Sequence, residues 1–157
     1  MMASKFKYGI FFILTVMGGL FFSCSKTQAP QNNPTVNQAN QTPVNVTVLL
    51  SSHPSLSSQG GVDSIPNIGI KGIIICRAVS STEQYYAYER SCTYDGTTVA
   101  NAKVYAVSGN FTCKDNVCGS IFTIADGSGG VSHGPATFPL KQYTVTQINT
   151  NELKITN

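Results

Sequence analysis

Short apolar runs, each interrupted after a few residues, constrain the fold of this chain more than any other feature. From residue 45 onward, runs rich in β-branched and aromatic residues are broken about every eight to twelve residues by Gly, Asp, Asn or Ser, and none has helical spacing. The predicted strands are 44–50, 69–79, 83–90, 101–107, 120–124, 141–148 and 151–156. The last two, joined by a tight Asn-Thr turn, predict a closing hairpin. The pattern predicts an all-β domain, built as a small sandwich or barrel.

The first 23 residues have the layout of an export signal. Lys5 and Lys7 form a short basic segment, and the apolar run 8–22 is too short to span a membrane comfortably. A small residue and then Cys24 follow this run, which resembles the cleavage site of bacterial lipoproteins, where the Cys is acylated. The resemblance implies a signal peptide at 1–23 and lipid attachment at Cys24, with an uncleaved N-terminal anchor as the alternative.

Segment 24–45 lacks what a folded core needs. Gln, Asn, Pro and Thr dominate it, Lys26 is its one charged residue, and it has no aromatic side chain. Such a segment buries too little apolar surface to offset the entropy of the chain. We therefore expect a disordered tether between the lipid and a single folded domain at 46–157. We also expect the protein to be anchored to a membrane of the cell envelope, on the periplasmic or outer-membrane side.

The charge of the chain limits its partners. Removal of the signal takes two of the ten Lys and Arg residues, which leaves eight against seven acidic residues. No basic stripe with interleaved aromatic residues remains, so nucleic acid is not an expected partner. The expected partners are the membrane, through the N-terminal lipid, and an unidentified envelope protein or ligand.

Four cysteines remain once Cys24 is assigned to the lipid. They are Cys76, Cys92, Cys113 and Cys118. An even number of cysteines in an exported chain favours disulfides over free thiols. Cys76 lies within the apolar run 69–79, where a cysteine commonly acts as a small hydrophobic residue.

The C-terminal part of the chain, CGSIFTIADGSGGVSHGPATFPLKQYTVTQINTNELKI, presents several features in a familiar order. A Gly-Ser pair precedes an aromatic strand residue, and a Gly-Pro-Ala, a Pro-Leu and a Tyr follow; these are Gly119, Ser120, Phe122, Gly134, Pro135, Ala136, Pro139, Leu140 and Tyr143. This order resembles the second half of a Rieske domain. The stretch GIIICRAVSSTEQYYAYERSCTYDG is similar to the strands that lead into the first cluster loop of that family. The resemblance covers 66–157 and implies a Rieske-like fold in which two loops form one tip.

The positions that would hold a Rieske cluster are altered. That cluster takes its ligands from Cys-x-His in one loop and Cys-x-x-His in the next. By this resemblance Cys92 stands at the first Cys position and Tyr94 at the first His position. The Gly-Ser register places Cys118 at the second His position and Asp115 at the second Cys position, unless a two-residue insertion makes Cys113 the equivalent. Both histidines of the chain lie outside the two loops.

Without these imidazoles an ordinary Rieske centre cannot be assembled. The chain resembles Rieske-like lipoproteins of the Bacteroidetes, which keep the fold with altered cluster ligands. We therefore expect no cofactor and a non-catalytic binding or structural role. The alternative is an electron-transfer or metal-binding protein with an atypical iron–sulfur or zinc centre, whose ligands would be Cys92, Cys113 and Cys118.

Three interpretations of these three cysteines stay open, namely a disulfide, a metal site and free thiols. The resemblance implies that the two loops face each other, which brings Cys92 close to the second loop. We expect a disulfide from Cys92 to Cys113, with Cys118 as the second choice, worth about 3 kcal/mol for a loop of about twenty residues. A bond between Cys113 and Cys118 would leave Cys92 free.

Overall fold

The computed structural model describes residues 43–80, 84–109 and 111–157. The predicted signal peptide, Cys24 and nearly all of the predicted tether lie outside the described residues. Val44, two residues before the expected domain boundary at residue 46, is buried, with 4% of its surface exposed. Within the described ranges, no helix is long and apolar enough to cross a membrane.

Ten strands make up the regular structure of the described residues. They are β1 (Asn45–Leu49), β2 (Val62–Ile65), β3 (Ile73–Arg77), β4 (Tyr85–Glu89), β5 (Val104–Ala106), β6 (Thr112–Asp115), β7 (Ile121–Thr123), β8 (Val131–His133), β9 (Gln142–Asn149) and β10 (Glu152–Thr156). Two short 3₁₀ turns, Leu50–Ser52 and Pro54–Ser57, follow β1. The predicted all-β class is confirmed.

The strands form two antiparallel sheets. The larger has the order β1-β10-β9-β4-β3-β2, and the smaller has the order β5-β6-β7-β8. The closing hairpin, β9 and β10, lies where the sequence predicts it. At its turn the Asn151 N–H donates a hydrogen bond to Asn149 Oδ1 at 2.9 Å.

The structure contains three strands that the apolar pattern does not predict: β2, β6 and β8. Strand β6 has the sequence TCKD, and its buried positions are Cys113 and Asp115. A buried carboxylate does not resemble a core residue in sequence, because buried carboxylates are rare. The strand predicted at 69–79 is longer than the observed one. Its first residues form turns, and β3 begins only at Ile73.

Two hydrophobic clusters account for the apolar run of β3. Ile73 and Ile75 pack with residues of β1, β9 and β10 in the first cluster. Ile74 and Cys76 point to the other face and pack in the second cluster, between the two sheets. A strand buried on both faces is apolar throughout rather than alternating. The second cluster extends to Cys92 and thereby connects the core with the loops described next.

Candidate functional site

The first loop of the site, residues 90–103, joins β4 to β5, and hydrogen bonds between its own backbone groups hold its conformation. The Gly96 N–H donates to the carbonyl oxygen of Cys92 at 2.9 Å, and the Val99 N–H donates to that of Asp95 at 2.8 Å. The second loop joins β6 to β7, and the Asp115 N–H closes it by donating to the Ser120 carbonyl oxygen at 2.8 Å.

Glu89, at the end of β4, holds the start of the first loop. It is 2% exposed. Its carboxylate accepts hydrogen bonds from the N–H groups of Ile70 (2.7 Å), Lys71 (2.9 Å) and Ser91 (3.0 Å) and from the Tyr143 hydroxyl (2.8 Å). One side chain thus connects β4, β9 and the turn before β3.

Four side chains of the two loops converge. They are Cys92 and Asp95 from the first loop, Asp115 at the end of β6, and Cys118 from the second loop. Each offers one sulfur or carboxylate oxygen, and these four atoms lie within 4.8 Å of one another. Cys92, Asp95 and Asp115 are buried, and Cys118 is partly exposed. We call this group the loop-tip cluster.

The two carboxylates of the loop-tip cluster are incompletely satisfied. Asp115 Oδ1 accepts the N–H groups of Val117 at 2.7 Å and Cys118 at 2.8 Å, which fixes the turn of the second loop. Asp115 Oδ2 and Asp95 Oδ1 are buried and accept no hydrogen bond from the described residues. Asp115 is 1% exposed and Asp95 is 7% exposed, so solvent hardly reaches either group.

The two thiols of the loop-tip cluster lie side by side. Cys92 Sγ and Cys118 Sγ are 3.5 Å apart. The Tyr94 N–H points to Cys92 Sγ at 3.5 Å, and Cys118 Sγ donates to Ser120 Oγ at 3.1 Å. Burial raises the pKa of both thiols above the ordinary cysteine value, so both are protonated at neutral pH unless a cation replaces the proton.

A third segment, residues 134–138, contacts both loops and is hydrogen-bonded to each of them. The Ala136 N–H donates to Ser120 Oγ at 3.0 Å, and Thr93 Oγ1 donates to the Phe138 carbonyl oxygen at 2.7 Å. Gly134 has a φ of 103°, and a Cβ placed there would lie 2.6 Å from the Cα of Ser120. The close approach of this segment to the second loop therefore requires glycine.

A lysine supplies positive charge close to the loop-tip cluster. The Lys71 ammonium group donates to the carbonyl oxygen of Ala102 at 2.7 Å and to that of Val99. Desolvation lowers the pKa of Lys71, and the charges of Asp95 and Asp115 oppose that effect. Lys71 is bonded to backbone oxygens, so it offsets part of the acidic charge without neutralising a carboxylate by direct contact.

The loop-tip cluster contains some of the predicted site residues but not others. Cys92, Asp115 and Cys118 meet in the loop-tip cluster. Cys113, the first choice of partner for Cys92, lies within β6 opposite Phe122 and is fully buried in the second hydrophobic cluster. That pairing stays a prediction, since Cys113 belongs to the same hydrophobic cluster as Cys92 but lies outside the loop-tip cluster. Cys118 is the thiol beside Cys92.

The disulfide itself stays a prediction. All four described cysteines are free thiols in the structure. Cys92 Sγ and Cys118 Sγ would have to approach by about 1.5 Å to reach the bonded distance of about 2.05 Å. Cys76 and Cys113 are core residues, and burial raises the pKa of each to about 12.

Asp95 is the site residue that the sequence interpretation missed. A mirrored spacing could have revealed it, because the first loop contains Cys-x-x-Asp (92–95) and the second contains Asp-x-x-Cys (115–118). Two ligand-type residues separated by two others are typical of metal-binding turns. Tyr94, at the position compared with a ligand histidine, has its side chain packed against the second hydrophobic cluster.

Neither histidine belongs to the loop-tip cluster. His53 Nδ1 lies 2.9 Å from Asp63 Oδ2, next to the 3₁₀ turns. His133 is exposed on β8. The cluster thus consists of two thiols and two carboxylates.

Comparisons with known proteins give a limited result. No model of a known protein family matches the chain, and no curated protein matches it in sequence. One similar solved structure is the complex of reduced oxygenase and oxidized ferredoxin in carbazole 1,9a-dioxygenase (TM-score 0.47, 18% identity, covering 73% of this chain and 94% of that one). Another is the ferredoxin of carbazole 1,9a-dioxygenase from Nocardioides aromaticivorans IC177 (TM-score 0.44, 15% identity, covering 73% and 96%).

Proposed function

We propose that this protein is a lipid-anchored component of the cell envelope whose Rieske-like domain has lost its iron–sulfur cluster. Acylation of Cys24 attaches it to the membrane, and residues 25–45 connect the lipid to the domain. The two-loop tip then serves in binding rather than in catalysis, with an envelope protein or a small ligand as the partner.

The composition of the loop-tip cluster is the observation that carries this proposal. A Rieske centre requires two thiolates on one iron and two imidazoles on the other. The described residues bring two thiols and two carboxylates together and no imidazole. The ligand atoms also lie within 4.8 Å of one another, which is a spacing for one ion rather than for ligand pairs on opposite sides of a two-iron cluster. The residues present do not fit the cluster of that family.

The residues around His53 do not form a hydrolytic triad. A hydrolytic triad needs a nucleophile hydrogen-bonded to the imidazole, which a carboxylate orients from its other nitrogen. Here the Ser55 hydroxyl donates to Asp63 Oδ2 at 3.1 Å, on the same carboxylate oxygen that His53 contacts. The serine therefore binds the orienting carboxylate, and the imidazole does not activate it.

We expect the Cys24→Ala variant to lose its membrane attachment. Without the acylated residue, the protein would enter the soluble fraction once its signal is removed, because a polar tether has no affinity for the bilayer. Metabolic labelling with an alkyne fatty acid, followed by membrane fractionation, measures both effects. Label in the wild type and none in the variant is the expected result.

Ser25→Ala provides the matched control for this experiment, since it alters the neighbouring residue and keeps the thiol. It should be labelled and fractionated like the wild type. Membrane attachment of an unlabelled wild-type chain would contradict the anchor at Cys24 and favour an uncleaved N-terminal segment.

A further inference from the structure

We propose that the loop-tip cluster is a mononuclear metal site that binds one zinc-type divalent cation through Cys92, Asp95, Asp115 and Cys118. The inference rests on the proposed function, because the same tip cannot hold a two-iron cluster and a single ion at once. It assigns the tip a ligand of defined chemistry, and the ligand set differs from the three cysteines considered from the sequence.

The separation of the thiols fits a shared ion. Two thiolates on a tetrahedral zinc ion lie about 3.8 Å apart, given a Zn–S distance of about 2.3 Å. Cys92 Sγ and Cys118 Sγ are 3.5 Å apart, which is close to that separation and far from the length of a disulfide bond. The four ligand atoms therefore need only small side-chain rotations to surround one ion.

The unsatisfied carboxylate oxygens point to the same conclusion. A buried carboxylate oxygen without a partner is costly, and a bound cation removes that cost. Asp115 Oδ2 and Asp95 Oδ1 are both in this state, on residues that are more than nine-tenths buried. Asp115 Oδ1 is occupied by two backbone N–H groups, so Oδ2 is the oxygen left for a metal.

The types of ligand select the class of cation. Calcium takes six to eight oxygen ligands and magnesium an octahedral oxygen shell, which four side chains with two sulfurs do not supply. Thiolates combined with carboxylates suit a borderline-soft ion that accepts four ligands, and zinc is the common case. As each Zn–S bond forms, the thiol proton passes to solvent.

The neighbouring groups are placed to support such an ion. The Tyr94 N–H points to Cys92 Sγ and the Ser120 N–H to Cys118 Sγ, each at 3.5 Å, and these donors stabilise thiolate ligands. The Lys71 ammonium group lies near the carboxylates and offsets the negative charge that two thiolates and two carboxylates retain on one divalent ion.

Zinc binding by the full-length protein in detergent, kept reduced and stripped of metal with a chelator, tests the inference. Titration with zinc chloride against a chromophoric chelator measures affinity and stoichiometry. Cobalt(II) as a second probe shows by its visible spectrum whether the coordination is tetrahedral with sulfur ligands. We expect one ion per chain and a tetrahedral thiolate spectrum.

Asp115→Asn is the decisive variant because it keeps Oδ1 and therefore the turn of the second loop. We expect it to weaken zinc binding at least about 100-fold, since loss of even an outer-shell partner changes affinity by about 10- to 100-fold. Without metal, the variant should unfold at the same temperature as the wild type or higher, because it removes a buried unpaired charge. A merely structural Asp115, acting through Oδ1 alone, would leave zinc binding unchanged in this variant.

Asp126→Asn is the control, because this carboxylate lies outside the loop-tip cluster and binds Ser128 in another turn. It should bind zinc like the wild type. The inference is overturned if the reduced wild type binds no zinc, if Asp115→Asn binds it as tightly, or if cobalt gives an octahedral spectrum. Absence of both zinc binding and acid-labile sulfide would refute this inference alone, whereas two sulfides per chain would refute the proposed function.

Discussion

The Glu89→Ala variant is expected to lose much of its stability, by about 4 kcal/mol or more, because each of four buried donors left without an acceptor costs about 1–3 kcal/mol. The substitution removes the acceptor for three backbone N–H groups and the Tyr143 hydroxyl at once. A small domain has only about 5–15 kcal/mol of stability in total, so the folded population should fall sharply. Urea denaturation followed by circular dichroism measures the change.

Two other variants serve as comparisons for the loss of stability expected in Glu89→Ala. Tyr143→Phe removes one of the four donors and leaves the carboxylate in place, so it should cost only about 1 kcal/mol. Glu152→Ala removes a carboxylate whose contact with Asn149 is exposed at the hairpin turn, and it should change stability by less than about 0.5 kcal/mol. A loss at Glu89 no larger than the loss at Glu152 would contradict the role of Glu89 as the group that joins β4, β9 and the turn before β3.

The Gly134→Ala variant is expected to lose about 2–4 kcal/mol, from backbone strain at a positive φ together with a steric clash. The added methyl group would lie 2.6 Å from the Cα of Ser120, which cannot move without shifting the second loop. Because Ser120 contacts Cys118, the exposure of the Cys118 thiol should rise as well. Thermal unfolding and the rate of thiol alkylation measure the two effects.

The Gly109→Ala variant measures the cost of backbone strain at a positive φ without the steric clash. Gly109 also has a positive φ of 75°, but no atom of the described residues, apart from its chain neighbours, lies within 4 Å of its added methyl group. This variant should therefore lose only the conformational part, about 1–2 kcal/mol, with no change in alkylation at Cys118. An equal loss of stability in the Gly134→Ala and Gly109→Ala variants would show that the third segment is not in tight contact with the second loop.

The periodicity of the sequence predicts much of the fold because most strands bury apolar residues. The run that becomes β3 and the hairpin of β9 and β10 follow directly from β-branched residues and turn residues. Strand β6 escapes such prediction, since its inward residues are Cys113 and Asp115 and its neighbours Lys114 and Thr112 are polar. Asp115 Oδ1 accepts the N–H groups of Val117 and Cys118 in a local turn, but the apolar pattern gives no sign that this carboxylate is buried.

The candidate site could be predicted only in part from the sequence. Resemblance to a family with two facing loops indicates that Cys92 and the second loop belong together. It does not indicate which thiol of that loop faces Cys92, because this depends on where β6 ends. Cys113 is buried within β6, in the same hydrophobic cluster as Cys92, and Cys118 Sγ lies 3.5 Å from Cys92 Sγ. Asp95 enters the site only through the tight turn that follows Cys92.

Acid-labile sulfide in anaerobically purified full-length protein is the most direct measure of whether the tip has lost its cluster. Sulfide discriminates better than iron, because a single ion bound by the loop-tip cluster would bring metal without inorganic sulfide. We predict a colourless protein with no acid-labile sulfide. About two sulfides and two irons per chain, with visible absorption, is the composition of a [2Fe–2S] protein and would contradict that prediction.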